Sequence, residues 1–74
     1  MAEIVVNEKI RFGKPVIKGT RITVDEVLGA LAGGMTYEEI EKEYQVKRAD
    51  IFATLRYATK IVSEERVGSL NVTQ

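Results

Sequence analysis

Six polar residues within one stretch could carry recognition chemistry: Lys47, Arg48, Asp50, Thr54, Arg56 and Lys60. Lysine and arginine pair with phosphate oxygens, arginine also reads base edges as a planar fork, and aspartate and threonine can hydrogen-bond to bases. The spacing suits DNA if a helix carries them. Lys47, Arg48, Asp50 and Thr54 would then reach bases and phosphates from its start, with Arg56 and Lys60 further along over the backbone. The competing reading is a set of ordinary solvating charges on an exposed face. Catalysis has little to draw on. The absence of Cys and His removes disulfides, thiol nucleophiles, the commonest zinc ligands and the usual general base. The expectation is therefore no enzyme, no metal and no cofactor.

The elements that must position these residues are a short helix, a tight turn and a longer helix over residues 35–57. Thr36-Tyr37-Glu38-Glu39 is a capping box that starts the short helix. Tyr37, Ile40 and Tyr44 form its apolar side, leaving Glu38, Glu41, Lys42 and Glu43 to solvent. Gln45-Val46 allows only a sharp change of direction. The next helix is expected from Lys47 or Arg48 to about Arg66, with Ile51, Leu55, Ala58 and Val62 as its buried stripe and the six polar residues off it. Phe52 and Tyr57 widen or flank that stripe, and Gly68 should end the helix. In a helix-turn-helix the first helix packs an apolar residue against one early in the second, which aims the second helix outward. Ile40, Val46 and Ile51 have that relationship. Glu41 stands where a small residue is usual and Gln45 where Gly is usual, so either the turn opens differently or the glutamate skirts the contact.

Upstream, Thr23-Val24-Asp25-Glu26 is a second capping box. Val24, Val27, Leu28 and Leu31 follow at i, i+3, i+4 and i+7, and Gly33-Gly34 supplies a C-cap. Before it, the β-branched Ile4-Val5-Val6 and the apolar pairs of residues 10–22 predict short strands with a turn near Gly13-Lys14-Pro15. Two strands alone are marginal in water, so this arm needs the helices or another copy of itself. Ile4, Val5, Val6, Ile10, Phe12, Lys18 and Arg21 are its candidate dimer or partner contacts, the alternative for its basic residues being a solvated edge that blocks aggregation. Arg21 is expected to pair with Asp25 or Glu26, its rival role being contact, with Lys18, to phosphate or an acidic pocket of a partner.

The fold class is thus mainly α: an N-terminal β arm over 1–22, a three-helix bundle with a helix-turn-helix over 23–67, and a flexible tail over 68–74. A single domain of 74 residues buries only about 60% of the surface its unfolded form exposes, which favours a homodimer. Charge is distributed unevenly. Residues 1–22 carry a net +3, residues 23–46 a net −5 and residues 47–74 a net +2, for a total of zero. A neutral chain with an acidic middle attracts phosphate weakly. No membrane helix and no signal peptide is legible, so a cytoplasmic location is expected.

The run Gly13-Lys14-Pro15-Val16-Ile17-Lys18-Gly19-Thr20-Arg21-Ile22, an apolar helix ending Gly33-Gly34-Met35-Thr36, then Glu38-Glu39-Ile40 and Leu55-Arg56-Tyr57-Ala58 resemble the domain of unknown function 433 family over roughly residues 4–58. The chain departs from that family's pattern at Gln45-Val46-Lys47, where a Pro and a Leu-Thr or Leu-Ser cap are usual. The resemblance implies a homeodomain-like three-helix bundle behind a β arm. It also implies an antitoxin that neutralises a PIN-type nuclease toxin and represses its own operon through DNA binding, the expected dimer resting on chain size and the arm. The alternative is a protein-interaction module that binds the nuclease without touching DNA, which the zero net charge and the second helix's glutamates favour.

Overall fold

The structure, a computed structural model, describes residues 2–69, with side-chain positions through residue 64. Two short strands, β1 (Ile4–Val6) and β2 (Pro15–Ile17), precede three helices, α1 (Val24–Ala32), α2 (Tyr37–Tyr44) and α3 (Arg48–Ser69). The strands pair antiparallel, with Ile4 opposite Ile17 and Val6 opposite Pro15. This register puts Val16 and Ile17 fully inside, and Ile17 joins Val27, Ile40, Val46 and Ile51 in one core. Ile4, Leu31, Met35, Tyr37, Tyr44 and Leu55 pack around that cluster. The hairpin is therefore part of the bundle's own core, since a two-stranded sheet with one apolar face must cover it against something.

The connection between the strands differs from the expected turn at Gly13-Lys14-Pro15. Pro15 already belongs to β2 and pairs with Val6. Reversal happens earlier, where Asn7 Oδ1 accepts from the Lys9 amide at 2.8 Å and the Asn7 carbonyl accepts from the Ile10 amide. It finishes in a left-handed turn at Arg11–Gly13, with φ of 51°, 60° and 82° in succession. Two of these residues carry side chains, for which that region costs roughly 1–2 kcal/mol each. Arg11 anchors the turn, donating from one guanidinium nitrogen to the Arg21 carbonyl at 2.8 Å and meeting Glu26 at 3.1 Å.

Both capping boxes form as the sequence predicts. The Thr23 hydroxyl accepts from the Glu26 amide and Glu26 accepts from the Thr23 amide, and Thr36 and Glu39 repeat the exchange. At the end of α1 the Met35 amide reaches back to the Ala30 carbonyl and the Gly34 amide to that of Leu31. This Schellman closure needs a left-handed residue, and Gly34 supplies it at φ +99°. Helix α3 runs through Gly68 to Ser69, past the residue expected to end it. The remainder of the expected tail, from residue 70, lies outside the described residues.

The turn of the helix-turn-helix, residues 45–47, closes with Gln45 in the left-handed conformation, φ 57° and ψ 46°. The geometry that glycine usually provides is thus adopted by a residue with a Cβ. Gln45→Gly is expected to stabilise the chain by about 0.5–1 kcal/mol, the relief of the Cβ penalty less the extra backbone entropy of glycine. A melting temperature unchanged or lowered by differential scanning calorimetry would show that the side chain of Gln45 contributes something its exposed position conceals.

Candidate recognition interface

Helix α3 carries all the candidate contacts but Lys47, and Ile40, Val46 and Ile51, all buried, hold it across α2. Its start is set by Asp50. Lys47 precedes the helix, and its amide donates to the Asp50 carboxylate at 2.8 Å, which is the returning half of a capping box. Asp50 therefore caps α3 in place of the threonine or serine missing here, and one of its oxygens is occupied.

Arg48 is held more tightly still. Its Nε donates to Glu41 at 2.9 Å, a terminal nitrogen lies 3.6 Å from Glu38, and the guanidinium sits 4.9 Å from the centroid of the Tyr37 ring. Tyr37 in turn meets Phe52 edge-on, with ring centroids 5.6 Å apart. The glutamate next to Ile40 thus skirts the hydrophobic contact and pins the first turn of α3 to α2. A forked cation between two carboxylates and an aromatic face is satisfied within its own chain.

Thr54 corrects the expectation most clearly. Its spacing predicts a DNA contact off the buried stripe, yet it is fully buried. Its hydroxyl donates to the Ile51 carbonyl at 2.7 Å, one turn back, so the polar atom is satisfied without water. Conversely Val62, expected in the stripe, is 65% exposed. The buried residues of α3 are Ile51, Ala53 and Thr54, with Leu55 and Ala58 half-buried beside them, so the inward face includes a threonine that its hydroxyl disguised.

Lys47, Arg56 and Lys60 are exposed and enter no ion pair among the described residues. Arg56 and Lys60 border a shallow groove of about 410 Å³ whose other walls are Phe52, Leu55 and Thr59. The six expected residues therefore divide into three free cations, one locked cation, one cap and one core residue. Among the described residues no cluster of His, Cys, Asp or Glu could hold a metal ion, and no helix is long and apolar enough to cross a membrane.

The arm residues divide similarly. Ile4 packs on the core, Val5 and Ile10 are half-buried, and Val6 and Phe12 are exposed. Lys18 meets Glu3 at 3.3 Å. Arg21 forms neither of its expected pairs. Arg11 takes Glu26 and Lys14 takes Asp25 at 3.4 Å, because the hairpin folds back over the start of α1 and brings those two side chains closer. Arg21 contributes only its carbonyl, as the acceptor for Arg11. The run Gly19-Thr20-Arg21-Ile22 is a joint: Gly19 sits at φ +83°, and the Thr20 hydroxyl donates to the Ile17 carbonyl and accepts from the Ile22 amide. Arg11 and Glu41 are the positioning residues that sequence reasoning missed. For Glu41 a signal existed in the opposite charge of Arg48 just across the turn; for Arg11, none local did.

A model of proteins of unknown function (DUF433) matches residues 4–58, from β1 to the middle of α3. The chain belongs to the DUF433 family. Comparison with curated proteins and with solved structures returns no match. The DUF433 region takes in the hairpin, the Gly-Thr-Arg-Ile joint, α1, α2 and the core-facing residues of α3 through Ala58. It contains Arg48 and its two carboxylate partners, and it stops before Lys60.

Proposed function

We propose that this chain is a small helix-turn-helix binding module of the antitoxin kind, which acts by holding a partner protein against the outward face of α3. The observation that supports it is the groove of Phe52, Leu55, Arg56, Thr59 and Lys60, an apolar floor with a cationic rim. Buried aromatic and arginine contacts within a polar rim are what protein interfaces rely on. The family resemblance suggests a PIN-type nuclease as that partner, and a cationic rim complements an acidic catalytic pocket. The test is a calorimetric titration of the nuclease encoded beside this gene. The double variant Arg56→Glu/Lys60→Glu, altered only at exposed positions, is expected to bind at least about tenfold more weakly through charge reversal at the rim. Equal binding by both forms sinks the reading.

Operator binding by the same module is the second reading, favoured by the helix-turn-helix arrangement and by the free cations Lys47, Arg56 and Lys60. With Arg48 committed to Glu41 and Glu38, α3 and the turn before it offer about three phosphate contacts per protomer, a salt slope of about −3 from this face. A mobility-shift titration with the chain's own promoter region tests it. No shift below micromolar protein at moderate salt would count against any DNA role.

A further inference from the structure

Phe12 is 97% exposed at the tip of the hairpin, the most exposed large apolar side chain among the described residues. It is presented on a left-handed turn that side chains rarely adopt, and Arg11 holds that turn from both Arg21 and Glu26. An aromatic ring projected into water from a strained and anchored backbone has already lost much of the freedom that binding would cost it. The groove it would fill lies on α2. Met35, Glu39, Lys42 and Glu43 line a shallow depression of about 330 Å³, in which Met35 is half-buried and offers a polarisable thioether to an aromatic ring.

Charge selects this groove over the one on α3. The turn residues Glu8 and Lys9 are exposed and enter no ion pair among the described residues, whereas Arg11 and Lys14 already meet Glu26 and Asp25. The α2 groove presents Glu39 and Glu43 beside Lys42, so that Lys9 can meet Glu43 and Glu8 can meet Lys42. The α3 groove presents only cations, Arg56 and Lys60, which would leave Lys9 facing like charge. The same polarity runs through the whole chain, with its basic N-terminal part and acidic middle.

We propose that two copies of this chain associate reciprocally, the Phe12 tip of each seated on Met35 between Glu39 and Glu43 of the other. Each phenylalanine brings roughly 150–250 Å². With the matching groove surface, two such contacts bury on the order of 800 Å², below the size of a standard stable interface. Association is therefore weak, with Kd on the order of tens of micromolar, and weakened by salt. It leaves the outward face of α3 free and does not depend on what that face binds.

Sedimentation equilibrium of the full chain provides the test. Phe12→Asn keeps a residue that tolerates the left-handed turn while removing the ring, and is expected to weaken association at least about tenfold. Lys9→Glu and Glu43→Lys are each expected to weaken it about fivefold, and the two together in one chain to restore it. Circular dichroism checks that these exposed substitutions leave the fold intact. A wild-type chain that stays monomeric to about millimolar concentration overturns the proposal, as does a Phe12→Asn chain that associates like wild type. So does a charge-swapped chain no tighter than either single variant.

Discussion

Ile40→Ala is expected to cost about 3 kcal/mol, the usual loss for truncating a large side chain in a closed core. Ile40 is fully buried and joins Ile17, Val27, Val46 and Ile51, so its removal leaves a void bordered by the hairpin, α1 and both helices of the helix-turn-helix. A 74-residue chain has roughly 4–11 kcal/mol of stability in all. The variant should melt about 12–24 °C lower and be partly unfolded at modest temperature. Val62→Ala is the control, because Val62 stands in water on the same long helix and should change stability by less than about 0.5 kcal/mol. Urea denaturation of the two variants decides the matter. If they lose similar amounts, the core described around Ile40 is wrong.

Thr23→Ala is expected to destabilise the chain by about 2 kcal/mol, the upper range for an N-cap, and Thr36→Ala by about 1 kcal/mol. The two caps make the same hydrogen bonds. They differ in burial: Thr23 is fully enclosed and Thr36 exposed, so only at Thr23 is an amide stranded away from water. The same substitution should alter the response to acid. The Thr23 hydroxyl beside it and Lys14 hold the Asp25 carboxyl below its ordinary 3.8. The Thr23 amide and Arg11 hold Glu26 below 4.5. A carboxyl lowered in the folded chain contributes stability above its unfolded value, and that contribution disappears as pH falls through the folded value. Wild type should lose stability as pH falls below about 4.5, and Thr23→Ala should lose less over the same interval. Denaturation midpoints that run parallel with pH would remove the Thr23 hydroxyl from this account.

Local chemistry made much of the fold legible. Both capping boxes, the Gly33-Gly34 closure and the apolar triad Ile40, Val46 and Ile51 act within a few residues of one another, and each is found where its spacing placed it. The third helix departs from its expected stripe at Thr54 and Val62 because polarity alone does not decide burial. A threonine whose hydroxyl bonds to its own helix can be buried, and a valine past the end of its neighbours cannot. The candidate site was less legible, since contacts between distant residues decide it. Arg48 looks free until α2 folds beside it with Glu38 and Glu41. Arg21 looks paired until the hairpin tip brings Arg11 and Lys14 to the same carboxylates. Neither outcome has a sequence period.

Thr23 also forms an isolated antiparallel bridge to Val16, just beyond which the Ile17 amide bonds to the Ile22 carbonyl at 2.9 Å. One residue therefore both bridges to β2 and caps the start of α1. Mechanically, this makes the arm a lever with its fulcrum at the helix start. A load on the tip at Phe12 is carried through β2 to α1 and, through Val27, to the core that seats α3. The N-terminal segment is tied to the start of α1 by this bridge, so a pull on the tip is transmitted to the whole domain.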